Sequence, residues 1–469
     1  MEPEQKPMLA VDIGSTNIKA ALIDKQGKLL ASGRAPFPAI SSEGRCEADA
    51  DELWRSFIAA VSQLHAKAGS LADIGSVAIT SQMAGLVLLD EMWHAVGPVI
   101  PGVDQRGSVY VPELMRRMAG HPVHAVTGCP PLGIYPAPKL LCLAAEQPAL
   151  LQKARYIGGI KEWMLLKLTG GWITDPASAS CTQLFDQRQR GWWPEMIAAA
   201  GIGHLILPEV RNPDERAGIL LPQAADVLQL PAELPVYVGT GDGPAANLAT
   251  GAVEPGSLCI SLGTTAVVRY MTEHIDMTME NKRHFRQWFG WHWYMQGFRL
   301  EGAGRDIEAF LPQAEASSHA DAFPICYNPH AADHHRRFIG DWAGADANSR
   351  LQAVLDGILF ALYEEMKPAL SKGTFREIRP VGGGAGNLHW MKELAGLFGL
   401  PVILTESGDS ALGAAMIAMK QAGGAAAWSE AAQAMVHVKT VIQALPEFSR
   451  TMQAKYETYR LILKRGESE

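Results

Sequence analysis

Residues 235–270 read PVYVGTGDGPAANLATGAVEPGSLCISLGTTAVVRY. The apolar run Pro235-Val-Tyr-Val ends at Gly239-Thr-Gly241, which puts Asp242 at the mouth of a strand, where the chain turns toward a helix of small residues over 244–252. An acid placed there is aimed outward. After Glu254-Pro-Gly256 a second run, 257–262, meets Gly263-Thr264-Thr265 and continues as Ala-Val-Val-Arg-Tyr, the pattern of a β-hairpin with a glycine at its tip. Such a tip can offer backbone N–H groups and two hydroxyls to phosphate oxygens. Taken alone, Gly-Asp-Gly is most often a turn and Gly-Thr-Thr most often only a hairpin. Their juxtaposition, and a second copy of the pattern, make them a candidate site.

That copy is Val11-Asp12-Ile13-Gly14-Ser15-Thr16, followed by Asn-Ile-Lys19-Ala-Ala-Leu-Ile. Beside Ile260-Ser261-Leu262-Gly263-Thr264-Thr265 it repeats the order apolar, Asp or Ser, apolar, Gly, hydroxyl, Thr, with an apolar run on each side. Two such hairpins predict a duplicated core with a phosphate loop in each half. A ligand between the halves would be gripped from both sides.

The 469 residues are 48% hydrophobic and 19% charged, a globular composition whose length predicts two domains, divided at 1–234 and 235–469. Net charge is −8 with Lys and Arg scattered, so no basic stripe serves nucleic acid or a membrane surface. The opening MEPEQKPML lacks the pattern of a secretory signal, no run is long enough for a membrane helix, and a cytoplasmic location is expected. Six scattered cysteines without a C-x-x-C predict buried or isolated thiols.

Working outward, 8–35 predicts an antiparallel meander, 49–68 an amphipathic helix and 75–80 a strand. That strand feeds Ser81-Gln82-Met83-Ala84-Gly85, at the strand end where open α/β sheets place ligand contacts. Asp104 and Arg106 read as a surface pair, a helix is expected from near Lys139, and 174–185 reads as a polar surface loop. Trp288, Trp291, Trp293 and Tyr294 partly alternate like one strand, and His330, His334 and His335 read as a solvated loop with no metal role. Further on, Gly302-Ala-Gly304 stands out, and the strand-to-glycine passage Val381-Gly-Gly383-Gly384-Ala-Gly-Asn387 suits close approach of backbone to a flat ligand or a phosphate. A small-residue helix from Asp409 is expected to pack closely on a sheet.

In this order the motifs resemble the FGGY carbohydrate kinases of the actin-like ATPase superfamily, along nearly the whole chain. DIGSTNIKAALID resembles the family's first phosphate motif, and APKLLCL a signature in which Cys142 stands where tryptophan is usual. TDPASASCTQLFD is similar to a further family segment, GTGDGPAANLATGA to the one carrying the catalytic aspartate, SLGTTAVVR to the second phosphate motif, DGILFAL to the helix leading to the nucleotide, and VGGGAGN to the adenosine motif. The resemblance implies an α/β fold of two actin-like (ribonuclease H-like) domains, each a mixed five-stranded sheet flanked by helices, with a cleft between them. It implies phosphoryl transfer from ATP, with Mg²⁺, to a hydroxyl of a small sugar, and it leaves a homodimer open. By the same resemblance Asp242 would be the catalytic base, Asp12 and Asp242 would lie at the metal, and Ser15, Thr16, Lys19, Gly263, Thr264 and Thr265 would hold phosphates. Gly302, Gly383, Gly384 and Asn387 would lie by the nucleotide, and Gln82, Met83, Ala84, Asp104 and Asp242 by the sugar. QMAGLVLLD is similar to a xylulokinase segment with Ala84 in the place of histidine, and Gly102 replaces the tryptophan of a W-x-D-x-R motif. Gly241-Asp242-Gly243 looks more like gluconokinases, and Cys326-Tyr-Asn-Pro329-His330 replaces an expected G-E-R-x-P loop. D-xylulose is therefore the first expectation and gluconate the second. An ATP-binding regulatory protein of the superfamily, or a kinase without turnover, are the competing classes.

Overall fold

A computed structural model describes residues 6–274, 283–310, 325–331, 337–340, 342, 344–420 and 428–466. His334 and His335 lie outside the described residues. The chain forms two compact units, one of 1–253, 272–296 and 407–437, the other of 254–271, 297–406 and 438–469.

The first unit is built on a mixed sheet whose strands lie in the order Arg216–Ile219, Pro235–Gly241, Ser76–Ser81, Met8–Ile13, Asn17–Ile23, Leu29–Pro36. Met8–Ile13, Ser76–Ser81 and Pro235–Gly241 run parallel, and the other pairings are antiparallel. The expected meander is present, and Arg216–Ile219 adds a sixth strand at one edge. Pro235–Gly241 pairs with Ser76–Ser81 inside this sheet, so the polypeptide changes unit after Val253, and not at 234 as the composition suggested. The helix Ala50–Ala68, capped by Asp49 accepting from the Glu52 N–H, lays Leu53, Phe57, Val61 and Leu64 on the sheet. That is the i, i+4 apolar stripe read from the sequence.

The second unit repeats the plan. Ala266–Thr272, Ser257–Leu262, Glu377–Val381, Val402–Thr405 and Val438–Ile442 lie in that order, and Trp293–Leu300, whose second half belongs here, extends the sheet. Ser257–Leu262 is antiparallel to Ala266–Thr272 and parallel to Glu377–Val381, as Met8–Ile13 is to Asn17–Ile23 and to Ser76–Ser81. The helices Ala347–Leu370, Leu388–Phe398 and Pro446–Gly466 supply its core, with Trp390 and Tyr456 fully buried. The tryptophan-rich segment read as one strand is two, His284–Gly290 and Trp293–Leu300, because Trp291 takes a left-handed conformation (φ 49°) at the turn.

All six cysteines are free and buried. Among the described residues no helix is long and apolar enough to cross a membrane.

Candidate active site

In the first unit, Asp12 faces Lys19 across the opening hairpin, and the Lys19 ammonium forms an ion pair with Asp409. Asp409 also caps the helix Ser410–Met419, accepting from the Ala411 N–H at 3.0 Å. Asp242 opens the helix Asp242–Ala249; the Gly243 N–H donates to its Oδ1 at 2.7 Å, and the Ser410 hydroxyl donates to its main-chain oxygen at 3.2 Å. The two helices touch backbone to backbone, since a Cβ at Gly413 would sit 2.0 Å from the Ala245 carbonyl oxygen. Small residues are thus what lets Asp409 and Asp242 reach the Asp12 hairpin together.

The electrostatic result falls on Asp12. Burial, then repulsion from Asp242 and Asp409, opposed by Lys19, pushes its carboxyl from the ordinary 3.8 up to about 8. Its Oδ1 is buried without a hydrogen-bond partner. A hard divalent cation would supply both the missing partner and the missing charge, so the donor set fits magnesium. Among the described residues no three His, Cys, Asp or Glu side chains are arranged to hold a metal by themselves. The protein would contribute one or two carboxylates and leave the other positions to water and phosphate oxygens, which magnesium accepts.

The segment after Ser76–Ser81 is more constrained than its sequence suggests. Gln82 spends its amide on backbone, donating to the Gly14 carbonyl at 3.2 Å and accepting from the Gly102 N–H at 3.3 Å. Met83 packs on Gly241, the residue before Asp242, so closely that a Cβ there would lie 2.4 Å from the thioether. Ala84 has φ 59°, and Gly102 lies so near that its Cβ would stand 2.1 Å from the Met83 carbonyl oxygen. With this backbone the tryptophan expected at 102 has no room. Asp104 and Arg106 are no surface pair: both side chains are buried. The Asp104 carboxylate accepts from the Cys46 and Arg106 N–H groups and from the Arg106 guanidinium. Those bonds hold it below the usual carboxylate range despite burial. They leave Asp104 as a support of the turn, without a free face for a sugar.

Residues 174–185, expected at the surface, are largely buried. Asp175 caps the short helix Pro176–Ser180, pairs with Lys161 at 3.2 Å, and accepts from the Thr240 hydroxyl at 2.7 Å. Thr240 lies two residues before Asp242, so this network fixes the strand that delivers the acid. Ser180 accepts from the Trp288 N–H at 3.0 Å, which lays His284–Gly290 beside it and places Gln287 3.9 Å from the Met83 sulfur. The Gln287 amide oxygen is buried and unpartnered. Asp409 and Gln287 lay outside the site residues expected from sequence; each lies far along the chain from the turn it meets, and no local spacing announces it.

The second unit contains a cavity of about 430 Å³ lined by Gly263, Thr264, Gly304, Gly383, Gly384 and Asn387, with Leu262, Ile307 and Trp390 among its apolar walls. Five of the nucleotide-side residues expected from sequence meet there. Gly304, not expected in that role, is required by contact: its N–H donates to the Thr264 carbonyl at 3.1 Å, and a Cβ would lie 2.1 Å from the Gly263 oxygen. Asn387 turns its side chain to cap the following helix, accepting from the Trp390 N–H at 3.1 Å. Thr265 donates to Glu301 at 3.2 Å. Thr265 and Gly302 are not among the cavity's lining residues, although Gly302 holds the turn (φ 79°) that leads into Ala303–Phe310. In the first hairpin Ser15 and Thr16 are exposed at the tip.

Comparison with known proteins matches residues 7–249 to the N-terminal domain of the FGGY family of carbohydrate kinases and 307–422 to its C-terminal domain. A xylulose kinase of Escherichia coli (strain K12) is 26% identical over 87% of this chain and 89% of its own. A gluconokinase of Bacillus subtilis (strain 168) is 22% identical over 89% and 88%. The crystal structure of a kinase from Brucella ovis, described as a xylulose kinase, superposes with a TM-score of 0.89 at 24% identity, over 98% of this chain and 99% of that one.

Proposed function

The chain belongs to the FGGY family of carbohydrate kinases, a phosphotransferase acting on a sugar hydroxyl, and from that premise we propose that it transfers the γ-phosphoryl group of MgATP to D-xylulose, giving D-xylulose 5-phosphate. The observation that carries the reading is the meeting of Asp242, Asp12, Lys19 and Asp409 in one unit, with a glycine-lined cavity in the other.

In this reading Asp242 accepts the proton of the attacking hydroxyl. Its position at a helix start, held by the Gly243 N–H and Ser410, matters more than its basicity, because phosphoryl transfer depends mostly on positioning and charge neutralisation. Asp12, with Asp242 near it, would hold magnesium, which when bound neutralises charge on the phosphoryl oxygens. Ser15, Thr16 and Lys19 in one hairpin tip, and Gly263, Thr264 and Thr265 in the other, would contact phosphates. Gly302, Gly383, Gly384 and Asn387 would shape the place of the adenosine.

Similarity to xylulose kinases and the Gln82–Asp90 segment favour the pentulose. Gluconate is the second reading, favoured by Gly241-Asp242-Gly243 and by gluconokinase relatives. A purely regulatory ATP-binding role is disfavoured, since a nucleotide switch has no use for a second-ligand carboxylate at 242. An ADP-release assay across pentuloses, hexonates and polyols tests all three. Stimulation greatest with D-xylulose supports the first, greatest with gluconate the second, and none with any sugar would remove the kinase assignment for this chain.

A further inference from the structure

Lys139 is the residue the mechanism leaves unused and the structure treats most unusually. It sits in the first turn of the helix Pro136–Glu146 with its side chain fully buried. Its ammonium donates to the Ala84 carbonyl at 3.0 Å and to the Pro101 carbonyl at 2.8 Å. Those two carbonyls belong to the two turns in which this chain departs from its family, Met83-Ala84 and Pro101-Gly102. The turns are already in backbone contact through Gly102 and the Met83 oxygen, and Gln82 ties the Gly102 N–H to the Gly14 carbonyl. Ala84 is held at positive φ, a conformation that is strained for a non-glycine residue and persists only when its surroundings impose it. The bond from Lys139 to its carbonyl is one such constraint.

We propose that Lys139 is a positioning residue for the sugar side of the site, a clamp that holds the Met83-Ala84 turn against the Pro101-Gly102 turn and so sets the place of Met83 beside Asp242. The inference rests on the reading of this region as the sugar side. It explains how a chain lacking the expected histidine and tryptophan keeps a defined wall there: backbone closes on backbone, and a buried cation holds the two carbonyls that closure brings together.

The clamp is sensitive to pH. Burial brings the Lys139 ammonium from 10.5 down to about 7, with Asp104 favouring its charge, Arg106 opposing it, and the Cys181 and Cys46 thiols the other titratable groups facing it. Below about pH 7 the charged group makes two charge-assisted bonds, at the cost of keeping a charge out of water. The lowered value belongs to the closed, buried state, so opening the turns and returning the amine to water takes up a proton, and the closed clamp gains on the open one as pH rises from about 7 toward 10.5.

The test uses the full chain with Lys139→Met and Lys139→Arg, read first by amide hydrogen exchange. Lys139→Met is expected to keep the wild-type exchange of strand 8–13 while peptides covering 82–87 and 99–105 exchange at least about 10-fold faster, and Lys139→Arg to restore part of the protection. Wild-type exchange in those two peptides would overturn the clamp whether or not a sugar is found. If Lys139→Met exchanges faster everywhere, the same peptides are compared in wild-type protein at pH 6 and pH 8. Greater protection of those two peptides at pH 8 than at pH 6, with 8–13 unchanged after correction for intrinsic exchange, supports the clamp, and equal protection, or looser turns at pH 8, overturns it. Kinetically, KM for the sugar is expected to rise about 10-fold in Lys139→Met with KM for ATP unchanged, and Lys139→Arg to recover part of the loss. An unchanged sugar KM would overturn the role. If wild type phosphorylates no sugar, the function proposal fails and the exchange result stands by itself.

Discussion

The two hairpins that open the two sheets share a frame and differ in charge. In the first, Asp12 faces Lys19, and burial, with Asp242 and Asp409 nearby, raises the Asp12 carboxyl to about 8. In the second the corresponding position is Ser261, which faces Val267 and accepts from Arg269 at 2.8 Å, and its tip borders an open cavity. The same strand–glycine–strand frame thus supports a carboxylate-rich centre in one unit and a glycine-lined cavity, mostly apolar in its other walls, in the other. The difference teaches that the frame supplies backbone donors, while the side chain two residues before the glycine, and the helices packed on it, decide the use.

The division of labour can be broken most severely at Asp242. Asp242→Ala is expected to lower kcat by at least about 10² with nucleotide affinity, read by calorimetry, little changed. Comparable turnover would take the base role from it. Asp12→Asn comes next, with a loss on the order of 10-fold in magnesium-dependent turnover. It also has an opposite signature in the ligand-free protein. Because the folded carboxyl titrates at about 8 against an ordinary 3.8, each rise in pH between those values adds to the cost of burying it. Asp12→Asn is therefore expected to melt higher than wild type at pH 7 and alike at pH 4, and a lower Tm at pH 7 would show that Asp12 is paired after all. The mildest test makes the second hairpin resemble the first: Ser261→Asp, beside Arg269, is expected to raise KM for ATP by about 2- to 5-fold. A fall in that constant would mean that charge at this position helps the nucleotide.

Much of this frame was legible. Alternation over 8–35, the Asp49 cap with its apolar stripe, and Asp242 between strand and small-residue helix are local patterns, and each formed as read. The misreadings share a cause. Asp104, Asp175 and Lys139 are polar residues that sequence assigns to the surface or passes over, yet each is buried because partners remote in the chain satisfy it: Cys46, Thr240, and the Ala84 carbonyl. Burial of a charge is decided by such partners, and spacing does not reveal them. The place where the chain changes unit was hidden for the same reason, since Pro235–Gly241 is claimed by a strand more than 150 positions earlier.

The most direct test is a crossed initial-rate titration of both substrates with Gly304→Ala and Met83→Ala, each first confirmed folded by its melting curve. Gly304 borders the cavity of the second unit and Met83 packs on the residue before Asp242. The account predicts that Gly304→Ala raises KM for ATP and leaves that for the sugar, and that Met83→Ala does the reverse. Both substitutions moving the same constant would contradict it.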